Sequence, residues 1–110
     1  MNVVSRRKFD EAIALHPNDA PGLERAYRQL MATNAKDFHE LKQTMANSID
    51  VFTCRNGWYV VDVAGNNLRV ICAIAFQIQH VYIKHIYTHE EYRKANKWYR
   101  SSKNKGTRKP

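Results

Sequence analysis

Between Leu68 and Phe76 the chain alternates strictly. Leu68, Val70, Cys72, Ile74 and Phe76 are apolar, and Arg69, Ile71, Ala73 and Ala75 between them are smaller or charged. A period of two marks a strand with one face on a core, so the even positions are expected to pack on helices and the odd ones to line the opposite face. Flanking runs extend the pattern into a meander. Ile49–Thr53 and Trp58–Val63 are joined by Arg55-Asn56-Gly57, Ala64-Gly65-Asn66-Asn67 turns the chain into Leu68–Phe76, and Val81–Tyr87 is the last strand. By simple alternation Lys84 and His85 point to opposite faces, and Lys84 shares a face with Tyr82, Ile86 and Thr88.

The first half has helical periodicity instead. Asn2-Val3-Val4 is short enough for an edge strand. Ser5 is placed to cap a helix over residues 6–15, with Phe9, Ala12 and Ile13 on one face, ended by His16-Pro17. A second helix opens near Pro21 and carries the stripe Leu23, Ala26, Tyr27, Leu30, Met31. Asp37 and Glu40 form a capping-box-like pair before a short helix with Phe38, Leu41 and Met45 aligned. The expected fold is therefore α+β: an N-terminal edge strand and two to three helices packed on a C-terminal antiparallel meander.

Composition narrows the function. With 110 residues, 44% of them hydrophobic, the chain is expected to form one domain, over residues 1–96, followed by a basic and disordered tail over 97–110. No apolar run reaches membrane-spanning length and Met1–Ser5 lacks a signal-peptide core, so a cytoplasmic protein with no membrane partner is expected. Cys54 and Cys72, without a paired-cysteine spacing, read as reduced residues, and His16, His39 and His80 lie in unrelated segments with no pair among them at metal-ligand spacing. Residues 1–50 are neutral, whereas residues 51–110 hold eleven basic residues against three acids and so carry the whole excess of +8. An RNA partner fits that asymmetry.

Strand residues Arg69 and Lys84, together with Thr88-His89-Glu90-Glu91-Tyr92, supply groups that grip a phosphate and move protons. Each also has a plainer reading: Arg69 paired with Asp62 across the hairpin, Lys84 solvated, His89 and Glu90 capping a terminal helix, Tyr92 packed in a core.

Trp58–Val63, Gly65-Asn66-Asn67-Leu68-Arg69, Tyr82-Ile83-Lys84 and Thr88-His89-Glu90-Glu91-Tyr92, with looser similarity over Asp37–Lys42, resemble the HigB branch of the RelE/ParE toxin superfamily across about residues 1–95. The resemblance implies a RelE-like fold and the toxin of a type II toxin–antitoxin pair. It implies a ribosome-dependent endoribonuclease (mRNA interferase) that cleaves mRNA in the ribosomal A site without a metal or other cofactor, held in check by a HigA-like helix-turn-helix antitoxin. Arg69 is then the cation on the reacting phosphate, His89 the acid or base, Lys84 a second cation and Tyr92 a hydrogen-bonding or stacking group. Asn66, Asn67, Lys94, Lys97 and Arg100 are the substrate-binding candidates. RelE itself carries lysines on its central strands, whereas Trp58–Val63 has none and offers Asp62, so RelE's catalytic set does not transfer. A gyrase poison of the same fold and a non-catalytic basic RNA- or ribosome-binding protein are the alternatives.

Overall fold

A computed structural model describes residues 1–65 and 67–101. The elements in chain order are β1 (Asn2–Val3), α1 (Arg7–Leu15), a 3-10 turn (Pro17–Asp19), α2 (Ala20–Ala32), α3 (Phe38–Thr44), β2 (Ile49–Val51), β3 (Trp58–Val63), β4 (Leu68–Ala75), β5 (His80–Thr88) and α4 (His89–Arg100). The five strands form one sheet in the order β1-β5-β4-β3-β2, with β1 parallel to β5 and the other pairs antiparallel. This is the α+β fold expected, with β1 at the edge.

Helices α1, α2 and α3 cover one face. Leu68, Val70, Cys72 and Ile74, the even positions of β4, are buried there with Phe9, Leu23, Leu30 and Leu41. Burial in this core pushes the Cys72 thiol up to about 12, so it stays a neutral packing group. Asp37 caps α3 by accepting from the Glu40 amide at 2.9 Å, and the Glu40 carboxylate accepts from the Lys36 amide, one residue before the place a full capping box would use. Arg6 rather than Ser5 holds the cap position of α1, while the Ser5 hydroxyl accepts from the Arg7 amide at 3.3 Å. Arg6 also bridges α1 to α2, pairing with Asp10 and Glu24 and lying 4.7 Å over the Tyr27 ring. Met31 departs from the expected stripe. It is 42% exposed, its sulfur accepting from the Val3 amide where α2 passes β1.

The second face carries a helix of its own. Helix α4 begins with a complete capping box: the Thr88 hydroxyl accepts from the Glu91 amide, and the Glu91 carboxylate accepts from the Thr88 amide at 2.8 Å. The helix lies over the odd positions of β4, so that Phe52, Val60, Ile71, Ala95 and Tyr99 form a second core. The folded domain therefore runs through Arg100. Residues 97–100, expected to belong to the tail, are the last turn of α4, and Tyr99 is 4% exposed. The expected tail over 102–110 lies outside the described residues.

Candidate active site

The β3–β4 hairpin turns with positive φ at Ala64 (52°) and Gly65 (63°), which sets Asp62 directly opposite Arg69. Being odd-numbered on β4, Arg69 faces α4, and its guanidinium lies 4.7 Å from the centre of the Tyr92 ring. The Arg69–Asp62 pairing is loose. Their closest approach is 3.6 Å, too long for a hydrogen bond; the Asp62 side chain is 40% exposed, although its Oδ1 is buried without a hydrogen-bond partner among the described residues. Arg69 itself is 21% exposed, and its Nε is buried without a hydrogen-bond partner among the described residues. The ring of Tyr92 and the carboxylate of Asp62 thus hold a guanidinium whose donors are largely unspent, an arrangement that accepts an anion. Burial raises the Tyr92 hydroxyl above its ordinary range, with Arg69 opposing that shift, so the phenol is a hydrogen-bond donor at neutral pH.

His89 is the first residue of α4, exposed, three positions before Tyr92 and so on the neighbouring side of the helix. Its neighbour Glu90 is held below the usual carboxylate range, chiefly by its bond to Arg93 (2.8 Å) and to a smaller degree by Lys94 and then His89. The solvent side of α4 continues with Arg93, Lys94, Lys97 and Arg100. Lys94, Lys97 and Arg100 thus form a basic stripe leading away from Arg69 and Tyr92, as a track for a polyanion requires.

Residues 20–95 match a family model described as HigB_toxin, the RelE-like toxic component of a toxin–antitoxin system. The chain belongs to the HigB toxin family. It is 41% identical over 103 residues to the mRNA interferase HigB of Escherichia coli O6:H1 (strain CFT073), a match covering 94% of this chain and 99% of that one. It is 28% identical over 92 residues to the mRNA interferase toxin HigB of Escherichia coli K12 and to the mRNA interferase HigB of Shigella flexneri, covering 84% of this chain and 88% of theirs. As a toxin of this family the chain has an antitoxin partner.

The toxin's remaining candidates are dispersed. Lys84 does not join Arg69. Ile71 pairs with His85 but Cys72 pairs with Ile83, so Lys84 is an extra residue in β5 with no partner on β4. This bulge resets the alternation. Ile83 and Ile86 both pack on the first core, while Lys84, His85 and Tyr87 turn toward α4. The expectation that Lys84 and His85 face opposite ways, with Lys84 beside Ile86, is corrected accordingly. The Lys84 ammonium lies 5.5 Å over the Trp58 ring. Asn67 donates to Asp19 at 3.4 Å, tying the hairpin to the turn before α2, and Asn66 lies outside the described residues.

One polar group in the second core escaped the sequence. His85 Nε2 is 2.9 Å from the Tyr99 hydroxyl, its ring stacks on Tyr87 at 4.6 Å, and Arg55 lies 4.7 Å over Tyr99. Burial is the main cause pushing the Tyr87 hydroxyl up to about 12. The available signal was Tyr92, Ala95 and Tyr99 at a spacing of three and four, the buried stripe of an amphipathic helix amid basic residues. Among the described residues no three His, Cys, Asp or Glu side chains gather as metal ligands, and no helix is long and apolar enough to cross a membrane.

Proposed function

We propose that the toxin is an mRNA interferase: a ribosome-dependent endoribonuclease that cleaves translated mRNA in the A site and so inhibits translation. The observation that carries this reading is Arg69, a partly buried cation on a central strand, held by Tyr92 yet with its Nε buried and unbonded among the described residues. Desolvating a guanidinium is costly unless something compensates, and a bound phosphate would do so. The relatives named mRNA interferase, one of them matched almost end to end, support the same activity.

The mechanism uses the RNA as its own nucleophile. The 2′-hydroxyl loses its proton to a base and attacks the adjacent phosphorus. The P–O5′ bond breaks from the pentavalent intermediate, and an acid protonates the departing 5′-oxygen. Arg69 neutralises the charge that grows on the non-bridging oxygens, where a fixed donor acts most strongly. Tyr92, a phenol that is protonated at neutral pH and that burial pushes up further, donates to the same phosphate. Exposed His89 serves as the acid or base, the side chain best suited to either role near neutral pH. Lys84, across the face at Trp58, and the stripe Lys94, Lys97 and Arg100 hold the strand on either side, while Asn67 borders the site at the hairpin. The chemistry needs no metal. The cytoplasm, where mRNA is translated, is the place of action, and a HigA-like helix-turn-helix protein is the antitoxin.

Ribosome dependence is directly testable. In a reconstituted translation reaction the toxin is expected to cut an mRNA inside its translated frame and to spare the same RNA when ribosomes are omitted or the start codon is destroyed. Equal cleavage of naked RNA would contradict the ribosome-dependent reading.

A further inference from the structure

The α4 face of the sheet is open at one end. Tyr99 packs edge-on against Trp58, with ring centres 5.7 Å apart, and α4 ends at Arg100. Past this point the cross-strand row Trp58–Ala73–Tyr82 and the pair Ala75–His80 share the face. Ala73 and Ala75 are only half-buried although β4 is a central strand, whereas Ile71, beneath α4, is fully buried. Two alanines, where strands favour branched or aromatic residues, leave a shallow floor. Trp58 and Tyr82 stand on either side of it, two strand spacings or roughly 10 Å apart. Tyr82 is 38% exposed and its hydroxyl is steadied by His80 Nδ1 at 3.3 Å. Lys84, two residues beyond Tyr82 on β5, is on this same side, over Trp58.

The floor continues the proposed active site. Arg69 and Ala73 face the same way on β4, four residues or about 13 Å apart, within reach of a few nucleotides of single strand. An exposed ring beside a flat apolar floor, with a cation at its rim, matches the elements that hold an unpaired base, whichever base it is.

Resting on the proposed RNA-cleaving function, we infer that this end of the sheet is a base-stacking subsite for the same single-stranded RNA. Tyr82 is the stacking ring, Ala73 and Ala75 are the floor, and Lys84 is the cation for the adjoining phosphate. The subsite takes any base, so it contributes grip and register rather than sequence choice.

Tyr82→Ala is a clean probe, since the side chain is exposed and its hydrogen bond and ring contact are both with His80. The experiment measures binding of the full chain to a labelled single-stranded RNA oligonucleotide and to an abasic strand of equal length and charge, by anisotropy at low salt. Stacking of one base contributes about 1–3 kcal/mol, roughly 5–150-fold in affinity. Tyr82→Ala is expected to weaken binding of the base-bearing strand at least 5-fold, to leave the abasic strand unchanged, and to be rescued by Tyr82→Phe. Unchanged binding of the base-bearing strand would overturn the subsite, as would an equal loss for both strands. So would loss of antitoxin binding with RNA binding intact, which would assign the face to a protein partner. A Tyr82→Ala protein that binds RNA normally and still cleaves translated mRNA refutes the subsite alone; a wild-type protein that neither binds RNA nor cleaves it refutes the wider reading too.

Discussion

Arg69→Ala is expected to lower mRNA cleavage by about 10²–10³-fold, and with it toxicity, while the protein stays folded. Removing one preorganised donor from a developing oxyanion costs on the order of 3–4 kcal/mol of transition-state stabilisation. The cost to the fold is small, because the substitution removes only the 3.6 Å approach to Asp62 and the stacking on Tyr92. An ion pair that long, with a partly exposed partner, contributes little to stability. Arg69→Lys should recover part of the activity, since it restores the charge without the fork that meets two phosphate oxygens. The deciding comparison is cleavage rate against thermal stability. A stable Arg69→Ala protein with full activity would remove Arg69 from the site.

The second large effect falls on stability. Tyr99 is 4% exposed and its ring meets Phe52, Trp58 and Trp98 edge-on, with the Arg55 guanidinium against its face. Truncating so large a buried ring to Ala costs about 3–5 kcal/mol. A domain of this size has about 5–15 kcal/mol in all. Tyr99→Ala should therefore lower Tm by more than about 10 °C and loosen α4 from the sheet. Because Tyr92 and His89 ride on that helix, activity should fall as well. Tyr99→Phe separates the two contributions of the side chain: it keeps the packing and removes the hydroxyl 2.9 Å from His85, at a cost nearer to about 1 kcal/mol. If Tyr99→Ala melted like the wild type, the second core would not hold α4 as described.

That core also shows where the sequence could be read and where it could not. The alternation of β4 declared one buried face outright, because Leu68, Val70, Cys72 and Ile74 have no charged residue among them. Its other face was harder, since Arg69 and two alanines suggested an open surface where Ile71 is in fact sealed by α4. The length of the covering helix and its place on the sheet were obscured by its composition. Tyr92, Ala95 and Tyr99 are outnumbered by basic residues, and a run rich in lysine and arginine resembles a solvated tail until the spacing is counted.

The bulge at Lys84 left no mark in the sequence. Alternation assumes one residue per partner, and an inserted residue shifts every later side chain to the opposite face without altering composition. Arg69 and Tyr92 could be paired as candidates, though 23 positions apart, because both are chemically conspicuous. What brings them together is the capping box that starts α4 directly after β5 and lays the helix back across β4. His89 stands out in the sequence by its chemistry, and the structure places it exposed in the first turn of α4.

On the proposed mechanism, this toxin cuts RNA through the RNA's own 2′-hydroxyl at a phosphate held by Arg69. The most direct test maps both ends of the fragments released from a translated mRNA. Attack by the 2′-hydroxyl leaves a 2′,3′-cyclic phosphate or its 3′-phosphate product upstream and a 5′-hydroxyl downstream, and Arg69→Ala should all but abolish both ends. A downstream fragment carrying a 5′-phosphate would instead show that water had attacked the phosphorus, and would contradict the mechanism.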